Sequence, residues 1–338
     1  MRSDISRMFA LMAGLLAAAV SLGGISGCGD RTVQINFVPT HARITPHIVR
    51  KSDHWFVSNR IAIVNISGLI MDSRDSSLLH NGHNPVSDLQ QTLDTIAHDS
   101  RVKAVILRLN TPGGTVTASD MMYRSLLAFK KKTHLPVIAS MMDVCASGGF
   151  YVSCAADYQM AYPTTITGSI GVIVQLFNFH RALHYLGISA PVFVSGPNKD
   201  TGSPFHRMTP GNKKIIQGFV RQFYARFKAL VEKTHPHVPH ADWPMLTDGR
   251  PLTGIDAVKY HLINSLGGLN AAIALAKKMA DIHHANVVLY GRSSAGHGSI
   301  YARTPLSPPR MQTNMVNINL GGAAAVMEHP YFLYMWRQ

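Results

Sequence analysis

The segment Asp143-Val-Cys-Ala-Ser147-Gly-Gly-Phe-Tyr151 sets a serine between an apolar run and the start of a helical pattern. A hydroxyl there lies near the positive end of a helix dipole, and the amide after it is free to donate to an oxyanion. A second segment, Asn110-Thr-Pro-Gly113-Gly114, ends another apolar run with a glycine pair. Glycines at a strand end let main-chain N–H groups come close to a substrate carbonyl. A strand-end serine with strand-end glycines is an arrangement for acyl transfer, one nucleophile and two backbone donors. The same spacing also suits two ordinary tight α/β turns, and spacing alone does not separate the two readings.

Other chemistries have weaker support. No Gly-x-Ser-x-Gly elbow occurs, which argues against an α/β-hydrolase triad. His235-Pro-His237-Val-Pro-His240 has the residue types of a metal site but reads as a solvated, Pro-broken loop after a long helix. His283-His284 reads as a complement to a helix C-terminus. Neither a metal nor a cofactor is expected. Cys145 and Cys154 can form one bridge at most, and both read as small buried residues.

These segments need elements to position them. Arg60–Gly68, Val102–Leu109 and Pro136–Ser140 are apolar runs closed by breakers, the pattern of buried strands. Val86, Leu89, Leu93, Ile96 and Ala97 form a helical stripe, and Ser119–Lys131 a second helix. Ile216, Phe219, Val220, Phe223, Phe227, Leu230 and Val231 mark a long third helix. Shorter helices are expected over 148–156 and 179–186, and strands over 159–162, 171–177 and 192–195. Strands interleaved with helices predict an α/β domain with largely parallel pairing. After Gly291 the pattern dissolves until His329–Trp336, an apolar end expected to pack on the body or on a neighbouring subunit, near the peptide groove.

With 46% apolar and 15% charged residues among 338, the chain is no disordered polymer. Its net charge of +14 favours an anionic partner. The charges are scattered, without a nucleic-acid module, which points to a membrane surface and away from nucleic acid. Arg2 and Arg7 precede the apolar run Met8–Val20, and Ser21–Gly27 are mostly small, a signal-peptide layout. Ile25-Ser-Gly-Cys28 resembles a lipobox, with Cys28 as the residue to be lipidated. This predicts a body on the extracytoplasmic side of the cell membrane, an outcome that an uncleaved anchor would share. The expected organisation is a lipoprotein signal peptide (1–27), a tether (28–54), a folded domain (55–285) and a C-terminal tail (286–338).

Four motifs follow one another: Leu107-Arg-Leu-Asn-Thr-Pro-Gly-Gly-Thr-Val-Thr-Ala-Ser119, Ala146-Ser-Gly-Gly-Phe-Tyr151, Pro163-Thr-Thr-Ile-Thr-Gly-Ser-Ile-Gly-Val172 and Lys199-Asp-Thr-Gly-Ser-Pro-Phe205. Together they resemble the signal peptide peptidase A family of serine peptidases, family S49, in its short single-copy form, from about Ile61 to Met279. The resemblance implies a fold like the Clp protease and the crotonases, a spiral of repeated β-β-α units. It also implies a Ser/Lys dyad, with Ser147 as nucleophile, Lys199 as general base and Ser169 as the hydroxyl that orients the lysine. The implied oxyanion donors are the N–H groups of Gly148 and of Gly114, preferred over Gly113. Free lysine titrates near ~10.4 and cannot accept the serine proton at neutral pH, so the base must be desolvated. The family further implies a homo-oligomeric ring with the dyad completed across a subunit boundary, and small extended peptides such as cleaved signal peptides as substrates. Departures are Phe150 where tyrosine is frequent, Asn264 where an acid is usual, and Pro197-Asn198 before Lys199. A crotonase-like acyl-CoA enzyme and a catalytically silent peptide-binding lipoprotein are the alternatives. The export signal weighs against the first, and the presence of both dyad residues against the second.

Overall fold

The computed structural model describes residues 44–72, 84–291, 299–301 and 332–336. The signal segment and Cys28 lie outside them. Three apolar runs form the middle of a nine-stranded sheet: β2 (Arg60–Ser67), β3 (Val102–Thr111) and β5 (Val137–Ala146), mutually parallel. The strand period of two sends alternate residues to opposite faces, and both faces are covered. Ala62, Val64, Val105 and Leu107 pack with Leu89, Leu93 and Ile96 of α1 (Pro85–Ala97) and with Met122 and Leu126 of α2 (Val116–Thr133). Ile61, Ile63, Ala104 and Ile106 pack on the opposite side.

The helices begin where their caps allow. Asn84 Oδ1 accepts from the Val86 and Ser87 amides ahead of α1, with Pro85 at its first position. Thr115 caps α2 in the same way, accepting from the Ala118 amide. After β5 come α3 (Gly148–Ser153), β6 (Tyr158–Ala161) and β7 (Ile166–Gly168), then α4 (His180–Tyr185) and the long α5 (Pro210–Thr234). A reciprocal capping box between Thr209 and Asn212 starts α5. The short α6 (Trp243–Leu246), β8 (Pro251–Thr253), α7 (Gly254–Lys259) and β9 (Ser265–Leu266) follow. α8 (Leu269–Met279) supplies Leu269, Ala272, Ile273 and Ala276 to the second face of the sheet.

The mixed α/β architecture with a mostly parallel sheet is the one expected. The sheet reaches further than the expected domain, however. β1 (Thr45–Arg50), from the expected tether, pairs antiparallel with β10 (Asn286–Gly291), from the expected tail, and β10 pairs parallel with β2. Val287, Val288 and Leu289 are buried apolar residues with no helical period, a central strand too short to stand out from its flanks. Conversely, Val192–Ser195 forms no strand: Val192, Phe193 and Val194 are exposed, and β-branched residues extend into a sheet only where an edge receives them. Residues 171–177 make only a bridge, from Ile173 to Leu333. That bridge belongs to β11 (Leu333–Met335), which pairs antiparallel with β4 (Gly113–Thr115), so the apolar end of the chain does pack on the body.

Candidate active site

Ser147 stands between β5 and α3 with φ 52° and ψ −111°, a backbone region that a non-glycine residue enters only under constraint. The constraint is visible. Ala146 pairs with Gly168 of β7, the Ser147 amide donates to the Gly168 carbonyl at 2.8 Å, and the Ser147 carbonyl accepts from the Tyr151 amide at 2.8 Å. Thr167 Oγ1 donates to the Cys145 carbonyl at 2.8 Å, a second tie between the same strands. Ser147 thus stands on a sharp strand-to-helix turn, without the glycine spacing of an elbow motif.

Two glycines after the serine admit close neighbours. A Cβ on Gly148 would stand 2.5 Å from Ser119 Oγ and 2.9 Å from the Tyr334 carbonyl oxygen. On the facing strand, the Gly113 amide donates to Thr111 Oγ1 at 3.1 Å, so it is engaged inside its own turn. Gly114 instead pairs with Tyr334 of β11. The Val116 amide donates to the Phe332 carbonyl at 3.1 Å and the Trp336 amide to the Pro112 carbonyl at 2.8 Å. The alternation of an antiparallel ladder therefore makes Gly114 and Tyr334 a hydrogen-bonded pair, the Gly114 N–H aimed at the Tyr334 oxygen. The chain's own segment Phe332–Trp336 thus lies extended along the glycine strand, with the Tyr334 carbonyl beside Gly114 and Gly148. The structure brings Ser147, Gly148 and Gly114 to one place.

Ser169 adjoins them. Like Ser147 it has positive φ, 51°, and its amide donates to the Arg250 carbonyl at 2.9 Å while its Oγ donates to the Gly249 carbonyl at 3.2 Å. Lys199 is different. It is exposed on a turn, its amide donating to the Gly196 carbonyl at 3.1 Å. Among the described residues no hydrogen bond or ion pair engages its ammonium, and none joins it to Ser147 or Ser169. Its neighbours Asn198, Thr201 and Gly202 line a cleft of about 270 Å³ together with Ile216, Phe219 and Phe332, so the lysine loop borders the track of the extended strand.

Burial pushes the Cys145 thiol well above its ordinary range and the Cys154 thiol up to about 12, with neither in a disulfide. Both are small core residues, inert as thiols at neutral pH. His235 is not solvated, contrary to the sequence reading. It is buried with Nδ1 3.0 Å from the Val231 carbonyl, Nε2 2.7 Å from the Gln159 side-chain amide, and its ring stacked on Phe150. Among the described residues no group of three His, Cys, Asp or Glu is placed to hold a metal ion. Sequence reasoning had the apolar end docking near the groove but missed its strand pairing and the burial of Tyr334, although the alternation of Phe332, Tyr334 and Trp336 was a usable strand signal.

Comparison with known proteins supplies the family. The family model "Peptidase family S49" matches residues 129–283. A protein of Enterococcus faecium named "Putative signal peptide peptidase SppA" is 31% identical over 242 residues, covering 72% of this chain and 70% of that one. The chloroplastic serine protease SPPA of Arabidopsis thaliana is 32% identical, covering 66% of this chain and 33% of that protein. Protease 4 of Haemophilus influenzae is also 32% identical, over 68% of this chain and 36% of its own length. This chain spans about a third of those two longer relatives. A solved structure of a mutant 1510-N membrane-bound stomatin-specific protease aligns at 16% identity with a TM-score of 0.40, over 64% of this chain and 84% of that one. The family model and these relatives define a serine peptidase. Within that class the chain belongs to the signal peptide peptidase A family, family S49.

Proposed function

We propose that this protein is a membrane-tethered endopeptidase that cuts small extended peptides, cleaved signal peptides among them, with Ser147 as nucleophile and Lys199 as general base. The observation that carries the reading is the extended segment Phe332–Trp336, paired antiparallel with the Gly113–Thr115 strand with its Tyr334 carbonyl between Gly114 and Gly148. A peptide held in that way presents a carbonyl to two backbone donors next to the strained serine, the requirement for stabilising a tetrahedral oxyanion. Attack by Ser147 Oγ on that carbon gives the acyl-enzyme as the lysine amine takes the hydroxyl proton. The resulting ammonium gives that proton to the leaving amine, and water then releases the new carboxylate.

The lysine completes its work in an assembly. On one chain Lys199 is solvated, whereas a general base of this type needs an apolar wall that disfavours its charged form. The segment around it exposes Leu186, Ile188, Phe193 (94%) and Phe205, an apolar surface with reason to meet a neighbouring copy. A closed ring of copies would bring such a wall to each lysine. Tethering rests on Cys28 and the run before it. Among the described residues no helix is long and apolar enough to cross a membrane.

The test pairs a fluorophosphonate probe with synthetic signal peptides. The wild-type chain is expected to label at Ser147 and to cut the peptides, while Ser147→Ala and Lys199→Ala are folded and do neither. Unlabelled, folded wild-type protein that leaves every peptide intact overturns the peptidase reading. Metabolic labelling with a palmitate analogue tests the tether: incorporation that persists in Cys28→Ser removes it.

A further inference from the structure

The loop between β1 and β2 presents two aromatic side chains to solvent: Trp55 is 89% exposed and Phe56 fully so. Its backbone is built to hold them out. Asn286, the first residue of β10, closes the neck of the loop from both sides. The Ser52 amide donates to Asn286 Oδ1 at 2.9 Å, and Asn286 Nδ2 donates to the Val57 carbonyl at 2.8 Å. Between those bonds Phe56 has φ 61°, a left-handed conformation that a bulky side chain rarely adopts. Cationic groups surround the tip. Arg50 and Lys51 lead into it, exposed, with Arg50 donating to Asn270 Oδ1 of α8 at 2.7 Å. The His54 ring lies on the His284 ring with centroids 3.6 Å apart, and His283 lies 6.4 Å from His284. Desolvation and the nearby charges of His54, His283 and Lys277 lower the His284 pKa, with Asp53 opposing them.

We propose that this loop is an interfacial membrane anchor: Trp55 and Phe56 enter the headgroup boundary of an anionic bilayer while Arg50, Lys51 and Lys277 meet its phosphates. The inference rests on the membrane-tethered reading and is independent of the peptidase reading. Two aromatic rings held in water on a hydrogen-bonded neck lose their exposure only against a partner. Tryptophan favours the layer where one side is apolar and the other wet. A basic rim around the tip fits anionic lipid, in keeping with the net charge of +14. A second copy of this chain brings the same positive rim and is repelled by it. Trp55 also follows Cys28 by only 27 residues, so the loop is the first exposed turn of the folded body after the proposed lipid. β1 ends, and β2 and β10 begin, at one end of the sheet, whereas Ser147 follows β5 at the other. Lipid at the loop therefore leaves the serine and its glycines uncovered.

The experiment uses the full chain and vesicles of phosphatidylcholine, alone or in equal parts with phosphatidylglycerol, each with and without bromine on the upper acyl chain. Flotation reads binding. Bromine quenching of tryptophan fluorescence reads insertion, with Trp55→Phe separating Trp55 from Trp243 and Trp336. Wild-type fluorescence is expected to be quenched on the mixed vesicles, and Trp55→Phe to lose that quenching. In chains carrying Cys28→Ser, the pair Trp55→Ser and Phe56→Ser is expected to weaken binding to mixed vesicles by at least about 30-fold. Lys51→Ala is expected to weaken it about fivefold, and phosphatidylcholine alone to be bound at least about tenfold less well. The substituted side chains are exposed, so thermal unfolding is expected to match that of the wild type. A floating chain whose Trp55 is not quenched, or a folded chain that does not float, overturns the anchor. A subunit number that falls on Trp55→Ser and Phe56→Ser without vesicles assigns the loop to a contact between copies and also overturns it. Quenching at Trp55 in a chain that takes up no palmitate analogue upholds the anchor and overturns the Cys28 tether. Incorporation at Cys28 without quenching does the reverse.

Discussion

The Ser147 amide donates to the Gly168 carbonyl at 2.8 Å, and through that bond the two serines with positive φ, Ser147 and Ser169, are locked to each other. Each would avoid its conformation in a free chain. Ladder pairing of β5 with β7 and of β7 with β8 holds both in place, so the strain is maintained by the sheet and not by local preference.

The strain is measurable by substitution. Glycine at 147 relieves the unfavourable backbone, whereas alanine keeps it. Ser147→Gly is therefore expected to exceed Ser147→Ala in stability by about 1 kcal/mol, read from urea midpoints, with both unreactive to a fluorophosphonate. Equal midpoints would mean that the serine sits there without strain.

Asp120 holds α2 to α5 through Arg226 and gives stability a dependence on acid. Burial alone would raise its pKa, but hydrogen bonds from Arg226, Arg124 and Tyr151 outweigh burial and hold it below the usual carboxylate range. A depressed folded pKa means that its contribution is complete above the unfolded value of about 3.9 and lost as pH falls through the folded value. Asp120→Asn is expected to cost about 2 kcal/mol near neutrality and progressively less below pH ~4. Melting curves across that range decide it; a gap independent of pH would show that the charge contributes nothing.

His235 acts in a milder range. Burial lowers its pKa, against a smaller opposing effect of the Val231 carbonyl, so the folded protein holds it neutral. Below about pH 6.5 the unfolded chain takes up a proton that the folded one resists. Stability should therefore decline as pH falls from about 6.5 toward the lowered folded value, by at most about 1.4 kcal/mol per pH unit from this group. His235→Gln is expected to flatten denaturant midpoints between pH ~5 and ~7. Parallel curves for the two proteins would assign that slope to other groups.

The strands β2, β3 and β5 were legible because long Val/Ile/Leu runs closed by breakers have few other fates. β10 was not, because six residues between a polar turn and a Gly/Ser-rich stretch leave no period to read, and only pairing with β2 defines them. The serine and the glycine pair stood out as candidates by type and spacing, since a close backbone approach demands glycine, but spacing alone left two ordinary tight turns as open. The packing around Tyr334 was not legible. Its parts come from α2, α3, α5 and β11, over 200 residues of chain, and no local pattern joins Asp120 to Arg226 or Tyr151 to Tyr334. The solvated reading of His235 failed for the same reason, its partner Gln159 lying 76 positions away.

The exposure of Lys199 on a single chain sets up the last prediction. If the base acts within its own chain, the lysine turn must fold onto Ser147 and lose its hydration there. If it acts across a boundary, the apolar surface around Phe193 and Phe205 docks on a neighbour and carries Lys199 to that neighbour's serine. The two cases part when inactive chains are mixed. Ser147→Ala supplies an intact lysine and Lys199→Ala an intact serine, so mixed assemblies across a boundary contain some complete pairs. Activity is expected to return on mixing to a sizeable fraction of the wild-type level, and to fall on dilution as copies separate, with each chain still folded by circular dichroism. Phe193→Asp places a charge in the docking surface and is expected to abolish both assembly and recovery, leaving the fold intact. Mixed assemblies proven by mass spectrometry that stay inactive would place the serine and its base on one chain.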